Sequence, residues 1–227
     1  MKYLFFVLLL TFSLLTINAQ TNQFDNTGKR HGVWVKKFKN GNIRYQGKFD
    51  HGKEIGIFKY YSLESTKNPI IVKTFNSDDN YAQVSFYTPT GRLISKGKME
   101  NKNRIGQWLY FHKDGITILQ DEFYINGELN GKYNTYFSNK KPTIEANYKN
   151  DVLDGSYKRY SVRGHIYQDL NYKNGVLDGA VVYYDRLSGD LIKKGFCKND
   201  KKVGVWEYFY KGELIETKNF SEKKKRK

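Results

Sequence analysis

Short apolar runs alternate with polar turn residues along almost the whole chain, and the arrangement repeats. The positions that open successive repeats are Gly32, Gly56, Ala82, Gly106, Gly131, Gly155, Gly179 and Gly204, so the steps between them are 24, 26, 24, 25, 24, 24 and 25 residues. A fixed period of this length is typical of a repeat array, in which each repeat is one supersecondary unit. The pattern therefore predicts about eight structural units in series.

Each repeat contains two runs of strand-forming residues. The first run has a large apolar residue two positions after the opening residue: Trp34, Phe58, Val84, Trp108, Tyr133, Tyr157, Val181 and Trp206. The second run ends on an aromatic residue or methionine: Phe49, Phe75, Met99, Phe123, Tyr148, Tyr172, Phe196 and Phe220. Runs bounded by Gly, Asn and Asp predict strands that pair as β-hairpins, and helical periodicity is missing after residue 19. We predict an all-β fold, an elongated antiparallel array of β-hairpin repeats of 24–25 residues.

Strand alternation assigns residues of each repeat to defined faces. In the last repeat, Trp206, Tyr208 and Tyr210 are expected to share one face of a strand. Rings at equivalent positions are expected to stack from repeat to repeat as aromatic ladders. The opening glycine is expected to adopt a positive φ or to permit a close approach of two backbones.

The second repeat breaks the pattern. Ala82 stands where the other repeats have glycine, residues 62–69 replace the regular turn, and residues 76–80 lengthen the closing loop. Insertions in repeat proteins map to loops on one face, which is often a binding face. This repeat is therefore the expected place of a local distortion or a functional insertion.

The N-terminal residues have the features of a signal peptide. Lys2 precedes the apolar run 3–17, and Asn18 and Ala19 resemble a small-residue cleavage site. An uncleaved anchor is the alternative, although the run is short for a membrane span. We divide the chain into a signal peptide (1–19), a loose leader (20–31), a repeat domain (32–220) and a basic, disordered tail (221–227). The mature protein is then exported, to the periplasm, the cell surface or the medium, and is not an integral membrane protein.

The composition favours a thin core of aromatic side chains. Aromatic residues make up 16% of the chain, with 19 Tyr and 15 Phe, and flat rings can cover a sheet that has no deep core. Cys197 is the only cysteine, so an internal disulfide is excluded. We interpret it as a small residue packed in a strand, with a reactive or intermolecular thiol as the alternative.

The charge suggests a binding surface. The formal net charge of +16 favours anionic partners. Our candidate binding residues are Trp34, Trp108, Trp206, Lys36, Lys37, Lys201 and Lys202. Aromatic rings interleaved with lysines can bind anionic lipid head groups or acidic polymers of the envelope. The alternatives are tryptophans packed in the sheet and lysines that protect strand edges. Because the charges are spread over all repeats, we expect no nucleic-acid partner.

The order of residues within a repeat resembles a known family. It is similar to the variant MORN repeat, with Gly-x-aromatic followed by a Tyr-Tyr or Tyr-Phe pair, a Gly turn, Leu or Ile, an aromatic residue and an Asn-Gly turn. This form occurs in exported bacterial proteins and in proteins labelled YwqK-type antitoxins. The resemblance covers residues 28–220 and implies a β-hairpin repeat fold, contacts with a protein or a membrane, and no catalytic residues.

Residues that could carry chemistry are scattered. The histidines His31, His51, His112 and His165 lack metal-ligand spacing, and carboxylates in the closing turns are explained by bonds to turn amides. We therefore predict no catalytic residue, no metal site and no cofactor. The first hypothesis is a non-enzymatic binding or scaffold protein with an unknown protein or envelope partner. The second is an antitoxin or immunity-type protein that binds a toxin, and the third is an enzyme with a concave site.

Overall fold

The structure, a computed structural model, describes residues 20–65, 67–76 and 80–221. These residues form one antiparallel sheet of 17 strands, in which every strand pairs with the strand that follows it in sequence. The strands are β1 (Gln23–Phe24), β2 (Arg30–Lys37), β3 (Ile43–Asp50), β4 (Lys53–Tyr60), β5 (Ile71–Phe75), β6 (Tyr81–Tyr87), β7 (Leu93–Glu100), β8 (Asn103–Phe111), β9 (Ile118–Ile125), β10 (Glu128–Tyr136), β11 (Pro142–Lys149), β12 (Val152–Tyr160), β13 (Ile166–Lys173), β14 (Val176–Tyr184), β15 (Leu191–Lys198), β16 (Lys201–Tyr210) and β17 (Glu213–Asn219). This sheet confirms the predicted all-β array of hairpins.

Parts of the sequence-based description lie outside the described residues. They are the signal peptide, the basic tail after Ser221, residue 66 and residues 77–79. The ranges that are described hold no helix of the length and apolarity needed to cross a membrane.

Two kinds of turn connect the strands. The closing turn between β9 and β10 places Asn126 and Gly127 at φ values of 52° and 92°. Two successive positive φ values define a type I′ turn, which fits an Asn-Gly pair. The longer turn between β8 and β9 has Gly115 at φ 70°, and its N–H donates to the carbonyl of His112 at 2.9 Å. The turn residues thus set the register of each hairpin.

A β-bulge recurs at the point where a repeat opens. On β7, Gly97 lies opposite residues 106–108 of β8, because the register shifts between Lys96 and Lys98. The opening glycine Gly106 has a φ of 62°, a conformation that glycine adopts without strain. All seven opening glycines have a positive φ, as the sequence predicts.

The second repeat is irregular, as predicted. β5 pairs with β4 and with β6 without a register shift, and Ala82 lies there in a regular strand. Ser62 and Ser65 form a small bridge outside the main strands. The buried Oγ of Ser65 lies 2.6 Å from the carbonyl oxygen of Asn68 and 2.9 Å from that of Pro89, so this polar atom is satisfied.

One face of the sheet, which we call the core face, carries the core. A central row of residues crosses this face in register: Trp34, Gly47, Phe58, Lys73, Val84, Gly97, Trp108, Glu122, Tyr133, Ala146, Tyr157, Leu170, Val181, Gly195, Trp206 and Lys218. Every buried residue of the described strands lies on this face, most of them in this row. The opposite face, which we call the open face, has no buried residue in the strands described. The sheet therefore packs side chains on one side only.

The aromatic rings pack differently from the expected ladders. The ring centroids of Trp34 and Phe49 are 5.8 Å apart, those of Phe49 and Phe58 are 5.1 Å apart, and those of Phe58 and Phe75 are 5.7 Å apart, all edge to face. The ladder prediction was wrong because equivalent residues lie two strands apart, about 9.6 Å, which is too far for ring contact. In the first repeat, Phe49 of the intervening strand β3 fills the space between Trp34 and Phe58.

Three glycines of the central row lie under large rings. Ideal Cβ atoms placed on Gly47, Gly97 and Gly195 would come within 2.4, 2.3 and 2.4 Å of ring atoms on Phe58, Trp108 and Trp206. The close approach expected of glycine therefore occurs at these residues and not at the opening glycines Gly56, Gly106 and Gly204, where an added Cβ meets no atom within 4 Å.

The bulge takes two forms along the array. In three central repeats the opening glycines have φ values between 113° and 124° and follow a leucine by two positions: Gly131, Gly155 and Gly179, with Leu129, Leu153 and Leu177. In three other repeats φ lies between 62° and 65° and the residue two positions earlier is charged: Gly56, Gly106 and Gly204, with Glu54, Arg104 and Lys202. The identity of this residue changes together with the backbone conformation.

The closing turn of each regular repeat is also hydrogen bonded to the strand that began it. The N–H of Gly52 donates to the carbonyl of Arg30 at 2.8 Å, and equivalent bonds join Gly127 to Arg104, Asp151 to Leu129, Gly175 to Leu153 and Asp200 to Leu177. We call this bond the repeat staple. It fixes the turn against a strand two positions away in the sheet, which no hairpin bond does.

Residues 20–31 differ from the expected loose leader. β1 pairs with β2, and the ring of Phe24 lies 5.1 Å from that of Trp34, edge to face. The side-chain oxygen of Asn22 accepts a hydrogen bond from the N–H of Val35 at 2.8 Å. This segment covers the outer edge of the first repeat, a physical role that its polar composition does not reveal.

Candidate functional site

The three tryptophans proposed as contact residues lie in the core. Trp34 is 9% exposed, Trp108 0% and Trp206 2%. The indole N–H of Trp108 donates to the carbonyl of Lys98 at 3.0 Å, and that of Trp206 donates to the carbonyl of Phe196 at 3.0 Å. Their position is therefore that of the alternative, in which the tryptophans pack in the sheet. Their rings are not available to a partner in this conformation.

A cation covers each tryptophan from two positions before the opening glycine. The distance from the cationic centre to the ring centroid is 4.9 Å for Arg30 and Trp34, 4.6 Å for Arg104 and Trp108, and 4.3 Å for Lys202 and Trp206. Cations are attracted to aromatic faces within about 6 Å. These three cations therefore stabilise rings of their own chain.

The four proposed lysines lie far apart in strand order. Lys36 and Lys37 are exposed on β2, whereas Lys201 and Lys202 belong to β16. Lys202 is half-buried, and its Nζ donates to the hydroxyl of Tyr208 at 2.9 Å. The sheet therefore does not bring the candidate residues into one surface, and only Lys36, Lys37 and Lys201 are freely exposed.

The open face offers a continuous surface instead. Several large apolar side chains on it are between 43% and 58% exposed, among them Val33, Ile57, Phe123, Phe196 and Val205. Two shallow depressions that share Lys132 and Asn134 lie over β8 to β12. Besides the shared residues, one is lined by Gln107, Asp121, Glu122 and Phe123, and the other by Tyr136, Glu145, Ala146, Asn147, Ser156 and Lys158. Sequence reasoning did not select this face, because its residues differ from repeat to repeat.

Charges of both signs alternate along the open face from β9 to β16. Asp121 accepts hydrogen bonds from Asn134 at 2.9 Å and from the hydroxyl of Tyr136 at 3.0 Å. Nζ of Lys194 lies 3.0 Å from a carboxylate oxygen of Glu207. Burial, together with the charge and hydrogen bond of Asp121, raises the pKa of Tyr136 to about 12. From β9 to β16 the face is therefore polar and nearly balanced in charge. From β3 to β7, in contrast, its charged strand residues other than those at the strand ends are the cations Arg44, Lys48, Lys59, Lys96 and Lys98.

A polar cluster interrupts the apolar row of the core face. Glu122 is buried between Trp108 and Tyr133 in that row, and it accepts hydrogen bonds from Gln120 at 2.6 Å and from the hydroxyl of Tyr124 at 2.7 Å. Burial, and then hydrogen bonding to Glu122, raises the pKa of Tyr124. A buried carboxylate needs such partners, so these contacts account for Glu122 as part of the core.

A separate cavity lies at the irregular second repeat. It is lined by Lys53, Glu54, Lys73, Phe75, Asn80, Ala82, Met99 and Asn101, and Asn80 belongs to the lengthened closing loop. Lys73 occupies the central row where other strands have apolar residues, and its Nζ lies 5.6 Å from the ring centroid of Tyr60. The predicted insertion thus borders an open cavity, and its functional role stays a prediction.

Two of the four histidines come together. The ring centroids of His31 and His51 are 5.0 Å apart, and Asp50 lies beside both. Their different positions within the repeat hid this proximity in the sequence. The repeat staple between Gly52 and Arg30 explains why the two histidines are close. It holds the closing turn, which contains His51, beside the residues that precede the opening glycine, which include His31.

The single cysteine is expected to react slowly in the folded protein. Cys197 is buried in the core face, and this burial raises the pKa of its thiol. Since the thiolate is the reactive form, we expect a disulfide reagent to modify Cys197 at least about tenfold more slowly in the native protein than in guanidinium chloride. Equal rates in the two conditions would contradict the buried position.

Comparison of the sequence with protein-family models, and with curated proteins, gave no match. The functional interpretation therefore depends on the geometry of the sheet and on the resemblance of its repeats.

Proposed function

We propose that this chain is an exported, non-enzymatic protein of the variant MORN-repeat type that binds a protein partner through its open face. The observation that carries the proposal is the single-sided core. All buried residues of the described strands lie on one face, so the other face remains accessible along the array. A rigid, repeated sheet with one free face suits a scaffold or a binding module.

The composition of the open face from β9 to β16 favours a protein over an anionic polymer. Its exposed apolar side chains, such as Phe123 and Phe196, suit the partly apolar centre of a protein interface. A polyanion laid along the face would meet the carboxylates of Asp121, Glu145 and Glu207. Complementary charges of both signs, in contrast, give specificity between proteins.

The test is affinity capture from envelope extract at low and at moderate salt, followed by measurement of the isolated complex. We expect a stoichiometric protein partner whose binding survives moderate salt, because apolar contacts are not screened. The double variant Phe123→Ser with Lys132→Glu is expected to weaken binding at least about tenfold, the effect of losing one interface anchor.

The matched control is Ile116→Ser with Lys113→Glu. It makes the same kind of change in the turn between β8 and β9, where Ile116 is 80% exposed, and it should leave binding intact. Circular dichroism must show unchanged strand content in both variants. Binding only to acidic polymers, lost at moderate salt, would overturn the proposal. A single toxin domain in a one-to-one complex would instead favour the antitoxin alternative.

A further inference from the structure

The residues His31, Asp50 and His51 form a cluster outside the surface just described. We propose that it is a binding site for a first-row divalent cation of the zinc class. His31 belongs to β2, Asp50 ends β3, and His51 lies in the following turn. One potential ligand atom from each residue lies within 4.8 Å of the other two.

The distances within the cluster are close to those that a metal ion requires. Nδ1 of His31 lies 3.4 Å from Oδ1 of Asp50, and Nε2 of His51 lies 3.9 Å from the same oxygen. With metal–ligand bonds of about 2.0–2.2 Å, tetrahedral ligand atoms lie roughly 3.3 Å apart. The three side chains are about half exposed, so small rotations of the rings bring the ligands to that spacing.

A second carboxylate orients one of the histidines. Oδ2 of Asp25 lies 2.7 Å from Nδ1 of His51, and the side chain of Asp25 is only 6% exposed. Its other oxygen accepts hydrogen bonds from the N–H groups of Thr27 at 2.8 Å and Lys29 at 2.9 Å. With Nδ1–H donated to Asp25, the free lone pair of His51 is on Nε2, which faces Asp50. Metal-binding histidines in proteins have this arrangement of an outer carboxylate.

The guanidinium of Arg30, the residue before His31, is engaged elsewhere. Arg30 lies over the rings of Trp34 and Phe49, with its guanidinium carbon 4.9 and 5.2 Å from their centroids. Two imidazoles and one carboxylate suit Zn²⁺ and neighbouring transition ions, whereas Ca²⁺ and Mg²⁺ require oxygen ligands. Three protein ligands leave one coordination position open to water or to a group on a partner.

The site also has a structural consequence. Its ligands come from β2 and from the turn that follows β3, and Asp25 belongs to the turn between β1 and β2. A bound ion would therefore join β2 to the end of β3 and its closing turn, and Asp25 would link this site to the turn between β1 and β2. Since a ligand that binds only the folded state stabilises it, the metal should raise the melting temperature of the protein.

The test is calorimetric titration of the untagged protein with ZnCl₂, with MgCl₂ and CaCl₂ as separate probes. We expect one Zn²⁺ per chain, a higher melting temperature with Zn²⁺, and no comparable binding of Mg²⁺ or Ca²⁺. The variants His31→Ala and His51→Ala should each weaken Zn²⁺ binding at least about tenfold, and Asp25→Asn should weaken it about 10-fold to 100-fold.

The controls are His112→Ala and His165→Ala, which remove the other two histidines and should leave Zn²⁺ binding unchanged. Circular dichroism identifies any variant that does not fold, and His31→Gln then replaces His31→Ala. The proposal is overturned if no stoichiometric Zn²⁺ binding occurs, or if the controls lower the affinity as much as the His31 and His51 variants do.

Discussion

Replacement of Gly97 by alanine is expected to destabilise the sheet by about 3 kcal/mol, the upper part of the range for overpacking a core. An added Cβ would lie 2.3 Å from the indole of Trp108. That ring is fully buried and its N–H is bound to the carbonyl of Lys98, so it has no free space into which to move. Denaturant unfolding followed by circular dichroism measures the change.

Gly106, in the same bulge, provides the matched control. An added Cβ there meets no atom within 4 Å, but φ is 62°, so Gly106→Ala should cost only about 1–2 kcal/mol of backbone strain. In a Trp108→Ala background, Gly97→Ala should lose most of its effect, because the ring that it displaces is gone. Equal costs in the two backgrounds would show that ring contact is not the cause.

At alkaline pH the protein is expected to unfold in a window above about pH 10, where tyrosine of an unfolded chain ionises. Nine tyrosines on the sheet have a raised pKa, and burial is the largest cause in each: Tyr60, Tyr110, Tyr124, Tyr133, Tyr136, Tyr148, Tyr157, Tyr160 and Tyr172. The folded state then retains protons that the unfolded state loses. Stability is therefore unaffected by these groups below about pH 10 and falls as pH rises beyond it.

The measurement is a pH titration of tyrosinate absorbance and strand circular dichroism on the same sample. We expect a large part of the absorbance change to coincide with the loss of strand signal. Full ionisation of the tyrosines near pH 10, with the strand signal intact, would contradict the predicted burial.

The architecture was accessible from the sequence because it depends on local signals. The period of the opening glycines and the Asn-Gly turns determine hairpins whose strands pair only with their neighbours, so each pairing is specified within one or two repeats. The irregular second repeat was accessible for the same reason. It is the place where Ala82 breaks the pattern.

The details of packing were not accessible, because they depend on contacts between strands. An exposed and a buried tryptophan look alike in sequence, and the burial of Trp108 depends on Gly97 of the preceding strand. The proximity of His31 and His51 could not be predicted without the repeat staple, a bond that joins different parts of the repeat. The open face was missed because residues such as Lys132 do not recur with the period. Phe123 does occupy a recurring aromatic position, but the member of that set in the first repeat, Phe49, is buried on the core face.

The pairing of each strand with only its immediate neighbours also determines how the protein responds to mechanical force. When the two ends are pulled apart, the load acts on one hairpin and its repeat staple at a time. The hairpins should therefore unfold one after another, at low force. A repeat of 24 residues would release roughly 80 Å of extended chain, which makes the array an extensible spacer.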